Sequence, residues 1–350
     1  MTELVERTVP YTAGDGLVLN LINVHRRSGA TRGPVVLVHG AGVRANIYRA
    51  PVQENLVDAL TAHGYDVWLM NWRGSIDFPP NRWTLDQAAR YDHPSAVLKI
   101  QEETGASKIK AVIHCQGSTS FTMAAVAGLL PQVDTIISNA VSLFTVVPWW
   151  SRIKLELAVP LVNMLTPYIS PAWGDNPPNL LAKSIRAMVR ATHHECDNDV
   201  CKMVSFTYGA GFPALWEHAN INEQTHEWIR GEFAEVPLSF FKQMARCVRK
   251  GHLVRYEHDI PDLPADFTDT PPNTDARFIL YAGKLNRCFL PESQIRTFEF
   301  LDHHRPGFHK LNILEKYSHL DLFMGKHAAE EVFPQMIAEL DGTQTDRNFS

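Results

Sequence analysis

Charge and cysteine are both scarce in this chain of 350 residues. Asp, Glu, Lys and Arg make up 20 % of it, the net charge is -5, and no block of Lys and Arg occurs. Without a concentrated positive field, nucleic acid is not an expected partner. No apolar run reaches the roughly 18 residues needed to span a bilayer. The nearest approach, "LELAVPLVNMLTPYI" at 155–169, is interrupted by Glu156, Pro160, Asn163 and Pro167. The N-terminal Met-Thr-Glu-Leu-Val-Glu-Arg has no apolar stretch of the kind that marks a signal peptide. Cysteine occurs only at 115, 196, 201, 247 and 288. An odd count without a visible leader suits a reducing cytoplasm, and leaves Cys196 and Cys201 close enough to pair locally. Repeats and low-complexity tracts are absent, and only the terminal "DGTQTDRNFS" reads as a frayed tail.

Strand and helix patterns alternate along what remains. "ERTVPYT" and "LVLNLINVHRR" read as a strand pair around the Gly14-Asp15-Gly16 turn. "PVVLVHG" at 34–40 is a continuous apolar run ending on glycine, as in a buried parallel strand. Residues 51–63 have helical spacing up to Gly64, and "YDVWLMNWRG" is the next strand. Thr84 and Gln87 form a possible capping box for a helix that breaks near Pro94 and stops at Gly105. Strands follow at 108–114 and 133–144.

The alternation stops near Val147, and residues 148–270 carry helical patterns, aromatics and prolines without a convincing strand. "ARFILYAG" and "HKLNILEKY" then supply two more strands, separated by a helix beginning at Pro291, and 326–340 is a last helix. The pattern predicts an α/β fold with a mostly parallel, doubly wound sheet. Residues 1–147 and 271–350 would form its core. Residues 148–270 would form a helical cap over the edge where such sheets bind ligands.

"KIKAVIHCQGSTS" joins a buried strand to a small, apolar helix through His114-Cys115-Gln116-Gly117. A nucleophile elbow is a sharp turn of this kind, with small residues two before and two after the reacting side chain. Gly117 meets the second requirement for Cys115, whereas Ile113 departs from the first. Ser118 and Ser120 fit worse. The competing reading is a buried thiol that fills space.

"VVLVHGAG", "GYDVWLMNWRGS", "AARYDHPSAVLKIQEETGASKIKAVIHCQGSTS" and "YSHLDLFMGKHAAEEVFP" resemble the acid-lipase branch of the α/β hydrolases. "HCQGST", "CDNDVCKMVSFTYGAGFPALWEHANINEQTH", "RKGHLV" and "AGKLNRCFLPES" are more similar to the hydrolase-like domain fused to cholesterol-oxidase-type flavoproteins, including its cysteine in the elbow. No Gly-x-Gly-x-x-Gly fingerprint of a flavin domain occurs here. The resemblance implies the α/β-hydrolase fold with a helical cap insertion and places the general base at His319. The chain order of nucleophile, third member and histidine agrees. His39 and His114 are better read as structural.

The fold expects Asp or Glu after the penultimate strand, where this chain has Asn286. An amide carbonyl can still accept the imidazole N–H and fix its tautomer, and Cys-His-Asn works on an unrelated fold. Asp321 is the alternative third member, with a helix N-cap as its plainer role. The oxyanion donors expected are the N–H groups of Gln116 and Ala41.

Trp149, Trp150, Trp173, Phe206, Tyr208, Phe212, Trp216 and Trp228 supply the insertion's own core and, for a few, a pocket wall. "HHECDNDVC" contains metal-ligand residue types at a spacing that fits no zinc pattern. The related domain has the same two cysteines, which implies a structural role. No metal and no cofactor are expected.

The expected function is a cysteine-dependent hydrolase or acyl transferase. It would act on a hydrophobic ester, thioester or lactone carrying an acyl or ring group, through a thioester acyl-enzyme. A non-catalytic domain that binds a ligand or an oxidase, or a lyase using the same site, are the alternatives. A cytoplasmic setting is expected, and the oligomeric state is left open, with a homodimer as one candidate.

Overall fold

A computed structural model of the chain describes residues 3–209 and 213–342. Phe212 and most of the terminal tail lie outside the described residues. Ten strands occur among these residues. In chain order they are β1 (Leu4–Thr12), β2 (Val18–Arg26), β3 (Pro34–Val38), β4 (Asp66–Asn71), β5 (Ile109–His114), β6 (Val133–Asn139), β7 (Tyr168–Ile169), β8 (Val236–Pro237), β9 (Arg277–Gly283) and β10 (Lys310–Leu314).

Eight of them make one sheet in the order β1-β2-β4-β3-β5-β6-β9-β10. The N-terminal pair is antiparallel, β2 joins β4 antiparallel, and every other pairing is parallel. The continuous apolar character of the central strands follows from burial on both faces. Val35, Val36, Leu37 and Val38 are all fully buried. Each such side chain stabilises the fold by about 1.5–3 kcal/mol relative to leaving it in water.

Four boundaries differ from those the sequence predicts, the first being the helix expected over 51–63, which starts at Leu56. The strand expected over 133–144 ends at Asn139, because Ala140 turns the chain at φ 79°. The helix after Thr84 does not break at Pro94. It widens into a π-turn at residues 88–92, and Pro94 sits in the first turn of the His93–Thr104 helix, where its missing N–H is tolerated. The capping box and the left-handed Gly105 stop are both present. The last helix is split into Ala328–Glu331 and Phe333–Leu340, ahead of which a short turn of helix covers Asp321–Met324.

The stretch between β6 and β9 is mainly helical, but it contains the two-residue strands β7 and β8, paired antiparallel. Its main helices are Leu180–Thr192, Asp199–Tyr208 and Leu238–Lys250. It is tied to the helical turn Leu85–Gln87 by polar contacts of Asp86. Asp86 accepts from Gln243 Nε2 at 2.7 Å and from the N–H groups of Tyr256 and Glu257 at 2.6 and 2.7 Å. Behind β4, Arg73 forms a fully buried ion pair with Asp92 at 2.6 Å, and the same guanidinium reaches Asp15 at 2.9 Å. Removing one partner of such a pair leaves an uncompensated charge and costs roughly 3–5 kcal/mol.

Candidate active site

Cys115 follows β5 directly and opens the Cys115–Val126 helix at φ 53°, a left-handed conformation that a non-glycine residue rarely adopts. Its cost, of order 1–3 kcal/mol, is sustained only where the surroundings fix it. Gly117 is one reason the turn can close. A Cβ there would stand 2.1 Å from the carbonyl oxygen of His39. On the other side of the turn, Ile113 is buried in the sheet, and its in-register neighbour on β6 is the small Ser138. Ser138, Ser118, Ser142 and Gln294 form a closed hydrogen-bond cluster beneath the helix.

The loop after β3 faces Cys115. The backbone N–H groups of Gln116 and Ala41 both point at Sγ and favour the thiolate, but burial outweighs them and pushes the thiol up to about 12. Gly42, at φ 68°, lets this loop pass beneath the insertion. A Cβ at that position would be 2.2 Å from Tyr208 Oη. Tyr208 donates instead to the Ala41 carbonyl at 3.2 Å.

His319 lies between β10 and the Asp321–Met324 turn, fully buried. Donor atoms of His114, Cys115 and His319 are all within 4.8 Å of one another. Burial holds His319 down at about 3, so imidazole and thiol are both neutral at neutral pH. Nε2 of His319 has no hydrogen-bond partner among the described residues. His114 packs edge-on against the His319 ring, 4.7 Å between centroids, and its Nδ1 faces the amide of Asn139 at 3.0 Å.

Asn286 reaches His319, but with the opposite end from the one expected. Its Oδ1 already accepts the N–H groups of Cys288 and Phe289, at 2.9 and 3.2 Å. Its Nδ2 therefore faces His319 Nδ1 at 3.1 Å and donates to it. An imidazole that accepts at Nδ1 carries its proton on Nε2. The amide fixes a tautomer, and that tautomer is the one whose Nε2 cannot take a proton from the thiol.

Asp321 does not bond to the ring. Its Oδ1 accepts from the Ser318 N–H at 2.7 Å, and its Oδ2 from Asn220 Nδ2 at 2.7 Å and the Glu217 N–H at 3.2 Å. Burial raises it to about 6. It is a clasp between the histidine loop and residues 217–220.

A cavity opens from Cys115 beneath the insertion, with about 480 Å³ of empty space including its mouth. Leu155, Phe240, Phe241, Met244 and Phe289 give it an apolar wall. Lys154, Tyr208 and Cys288 also line it, and sequence reasoning did not single out Lys154 or Cys288. The Lys154 ammonium donates to the Phe206 and Gly209 carbonyls, and desolvation lowers it to about 8. A further group was also missed. His218 and His226 converge on Cys196 and Cys201. The sequence offered a signal in the nearby "EHANINEQTH", but only folding brings it against "HHECDNDVC".

The strand order, the parallel centre and a strained residue between β5 and its helix decide the fold. It is the α/β-hydrolase fold. A family model described as "alpha/beta hydrolase fold" matches residues 33–164. Lipase member K from Homo sapiens is 32 % identical over 125 residues, which cover 31 % of each chain. The match thus spans under a third of that relative's length. Triacylglycerol lipase 2 from Arabidopsis thaliana is 24 % identical over 359 aligned positions, covering 92 % of this chain and 81 % of that one. Among solved structures, a putative lipase from Sulfolobus solfataricus superposes with a TM-score of 0.60 at 14 % identity, covering 97 % of this chain and 95 % of the other.

Proposed function

We propose that this α/β hydrolase is a cysteine-dependent acyl hydrolase or acyl transferase. Its substrate would be a hydrophobic ester, thioester or lactone, and the segment 148–270 would act as a cap that selects the acyl or ring group. The observation that carries this reading is Cys115 itself. It is held at φ 53° in an elbow, with two backbone N–H groups aimed at its sulfur. Such donors are fixed before reaction and suit the oxygen that becomes negative in a tetrahedral intermediate. The printed names of the lipase relatives support an ester substrate.

In this reading Sγ attacks the carbonyl carbon, its proton passes to Nε2 of His319, and the leaving group takes that proton as it departs. Water, activated by His319, then hydrolyses the thioester. For Nε2 to be free, Nδ1 must carry the ring proton and face an acceptor. Turning the Asn286 amide would supply its carbonyl, at the loss of the two N–H bonds it now receives. Each such loss costs about 1–3 kcal/mol. The resting site is accordingly of low reactivity, and substrate binding must favour the turned amide.

The orientation of Asn286 and the neutral thiol favour a second reading, in which the site binds a hydrophobic carbonyl compound without turnover. The Nε2–H of His319 and the two backbone N–H groups would then act as donors. The resemblance to a domain fused to cholesterol-oxidase-type flavoproteins suggests an oxidase as partner in that case. Mass spectrometry of the intact chain after mixing with activated esters separates the two. An acyl adduct on Cys115 that decays with release of acid supports the first, and full binding without adduct supports the second.

No helix among the described residues is long and apolar enough to cross a membrane. Trp149, Trp150, Leu157, Leu161, Met164 and Leu165 are nonetheless exposed along 149–165, the segment that turns Leu155 and Lys154 inward. This face would meet an apolar substrate, or a second copy in a homodimer, which light scattering would reveal. Five free thiols suit a cytoplasmic setting.

A further inference from the structure

Far along the insertion from any role in acyl transfer, four side chains point their ligating atoms at one place. They are Cys196, in the loop before the Asp199–Tyr208 helix, Cys201 in its first turn, His218 in a 3-10 turn, and His226 in the Glu223–Trp228 helix. Their sulfur and ring-nitrogen atoms all lie within 4.8 Å of one another. Cys201 Sγ and His218 Nε2 are 3.5 Å apart. A tetrahedral zinc site with sulfur and nitrogen ligands has donor atoms separated by roughly 3.3–3.8 Å, which the Cys201–His218 pair already meets, and contraction of about 1 Å at most in the wider pairs would complete it. Both cysteines are free thiols. Among the described residues His226 Nε2 is buried and meets no hydrogen-bond partner other than the Cys196 thiol it faces, as a ligand awaiting a cation would.

We propose that Cys196, Cys201, His218 and His226 form a structural Cys₂His₂ site for Zn²⁺ or another thiophilic divalent cation. On binding, each thiol gives its proton to solvent, and the two thiolates cancel the charge of the cation. The two imidazoles enter neutral. All four positions are filled by protein atoms, which leaves none for water or substrate and makes the site structural rather than catalytic.

The surroundings are built to hold these ligands. Asn198 caps the helix by accepting the Cys201 N–H at 3.0 Å, and its amide donates to the His226 carbonyl at 2.6 Å. His218 is flanked by Glu217 and Asn220, the two residues that bond Asp321 of the histidine loop. Asn220 also accepts from the Lys326 N–H and donates to the Lys316 carbonyl, at 2.8 and 2.7 Å. A cation at this site would therefore fix one edge of the insertion and, through residues 217–220, the loop carrying His319.

The full chain, produced in zinc-supplemented medium and kept reduced, is expected to carry one zinc ion per molecule by inductively coupled plasma mass spectrometry. After removal of metal by a chelator, titration with Co²⁺ is expected to give the intense visible bands of tetrahedral cobalt and a near-ultraviolet thiolate-to-cobalt band, saturating at one equivalent. Cys201→Ser and His226→Ala should each weaken or abolish that spectrum, while His194→Ala and Cys247→Ala keep it. Should the ligand variants fail to fold, the wild-type titration decides alone. Reduced wild-type protein that carries no transition metal and gives no cobalt spectrum would overturn the proposal. So would a Cys196–Cys201 disulfide that persists under reducing handling.

Discussion

Asn286 donates its amide N–H to Nδ1 of His319 at 3.1 Å, because its carbonyl is held by two backbone N–H groups. A carboxylate at the same position would keep one oxygen on those N–H groups and turn the other to Nδ1. It would accept the ring proton there and free Nε2. Asn286→Asp is therefore expected to raise kcat on p-nitrophenyl esters by about tenfold or more, within the range of general-base effects. Asn286→Ala should leave kcat within a few-fold of wild type. A fall in kcat for the aspartate variant to the level of the alanine variant would refute the tautomer argument.

Cys115→Ala should abolish ester turnover and the acyl adduct with little change in Tm, since a methyl group fills most of the space of the small side chain. Alkylation of the wild-type thiol by iodoacetamide tests its environment. With the thiol pushed up to about 12, the thiolate is scarce at pH 7, so the rate should be slow there and rise about tenfold per pH unit on the alkaline side. A rate already at its plateau near neutrality would mean a thiolate–imidazolium pair.

Asp321→Asn replaces one acceptor oxygen with a donor, opposite the Ser318 and Glu217 N–H groups or the Asn220 amide. The loss of about 1–3 kcal/mol should lower Tm by several degrees. Activity should fall only as the protein loosens, and recover at lower temperature. If the variant keeps its Tm and loses all turnover, Asp321 is part of the chemistry.

Acid should destabilise the fold well before carboxylates in general protonate. Burial holds His39, His93 and His319 down at about 3 and His193 and His309 at about 4, and it lowers His114 well below the ordinary histidine range. Unfolded histidine binds a proton near pH 6.5, so between roughly pH 6.5 and 4 the unfolded chain holds more protons at these sites and stability rises with pH. Asp86, Asp92, Glu195 and Asp321 are raised by burial and act in the opposite sense, with Asp86 and Asp321 at about 6. Six histidines outweigh four carboxyls, so the urea midpoint should be lower at pH 5 than at pH 7. Equal midpoints would show that water reaches these rings.

Phe241 and Met244 line the cavity from the Leu238–Lys250 helix. Phe241→Ala should shift kcat/KM towards bulkier acyl groups by a factor of about ten to a hundred. Unchanged selectivity in this variant and in Met244→Ala would make the wall structural.

How far the sequence carried can be read from particular residues. The central strands were visible because burial on both faces makes them uniformly apolar, and the sharp turn at Cys115 because Gly117 and the strand-to-helix change flank it. The position of Asn286 was legible, but its orientation was not. That is set by backbone N–H groups of Cys288 and Phe289, which a sequence does not display. Asp321 could be named as a carboxylate near the histidine, yet its partners lie about a hundred residues away in 217–220. The convergence of His218 and His226 on Cys196 and Cys201 is not legible in local spacing, because two of the four come from another turn and another helix.

The Asp321 clasp also constrains how the cavity can open. Leu320 donates to the Leu215 carbonyl and Lys326 to that of Asn220, both at 2.8 Å, so with the bonds of Glu217 and Asn220 to Asp321 and of Asn220 to the Lys316 carbonyl, five hydrogen bonds pin residues 215–220 to the chain around His319. Swinging the insertion away along this side would pull His319 from Cys115. The segment 149–165 shares none of these bonds: its outer side chains stand in solvent, and Lys154 and Leu155 line the cavity. Displacing it would open the cavity with the bonds between residues 215–220 and the His319 loop intact.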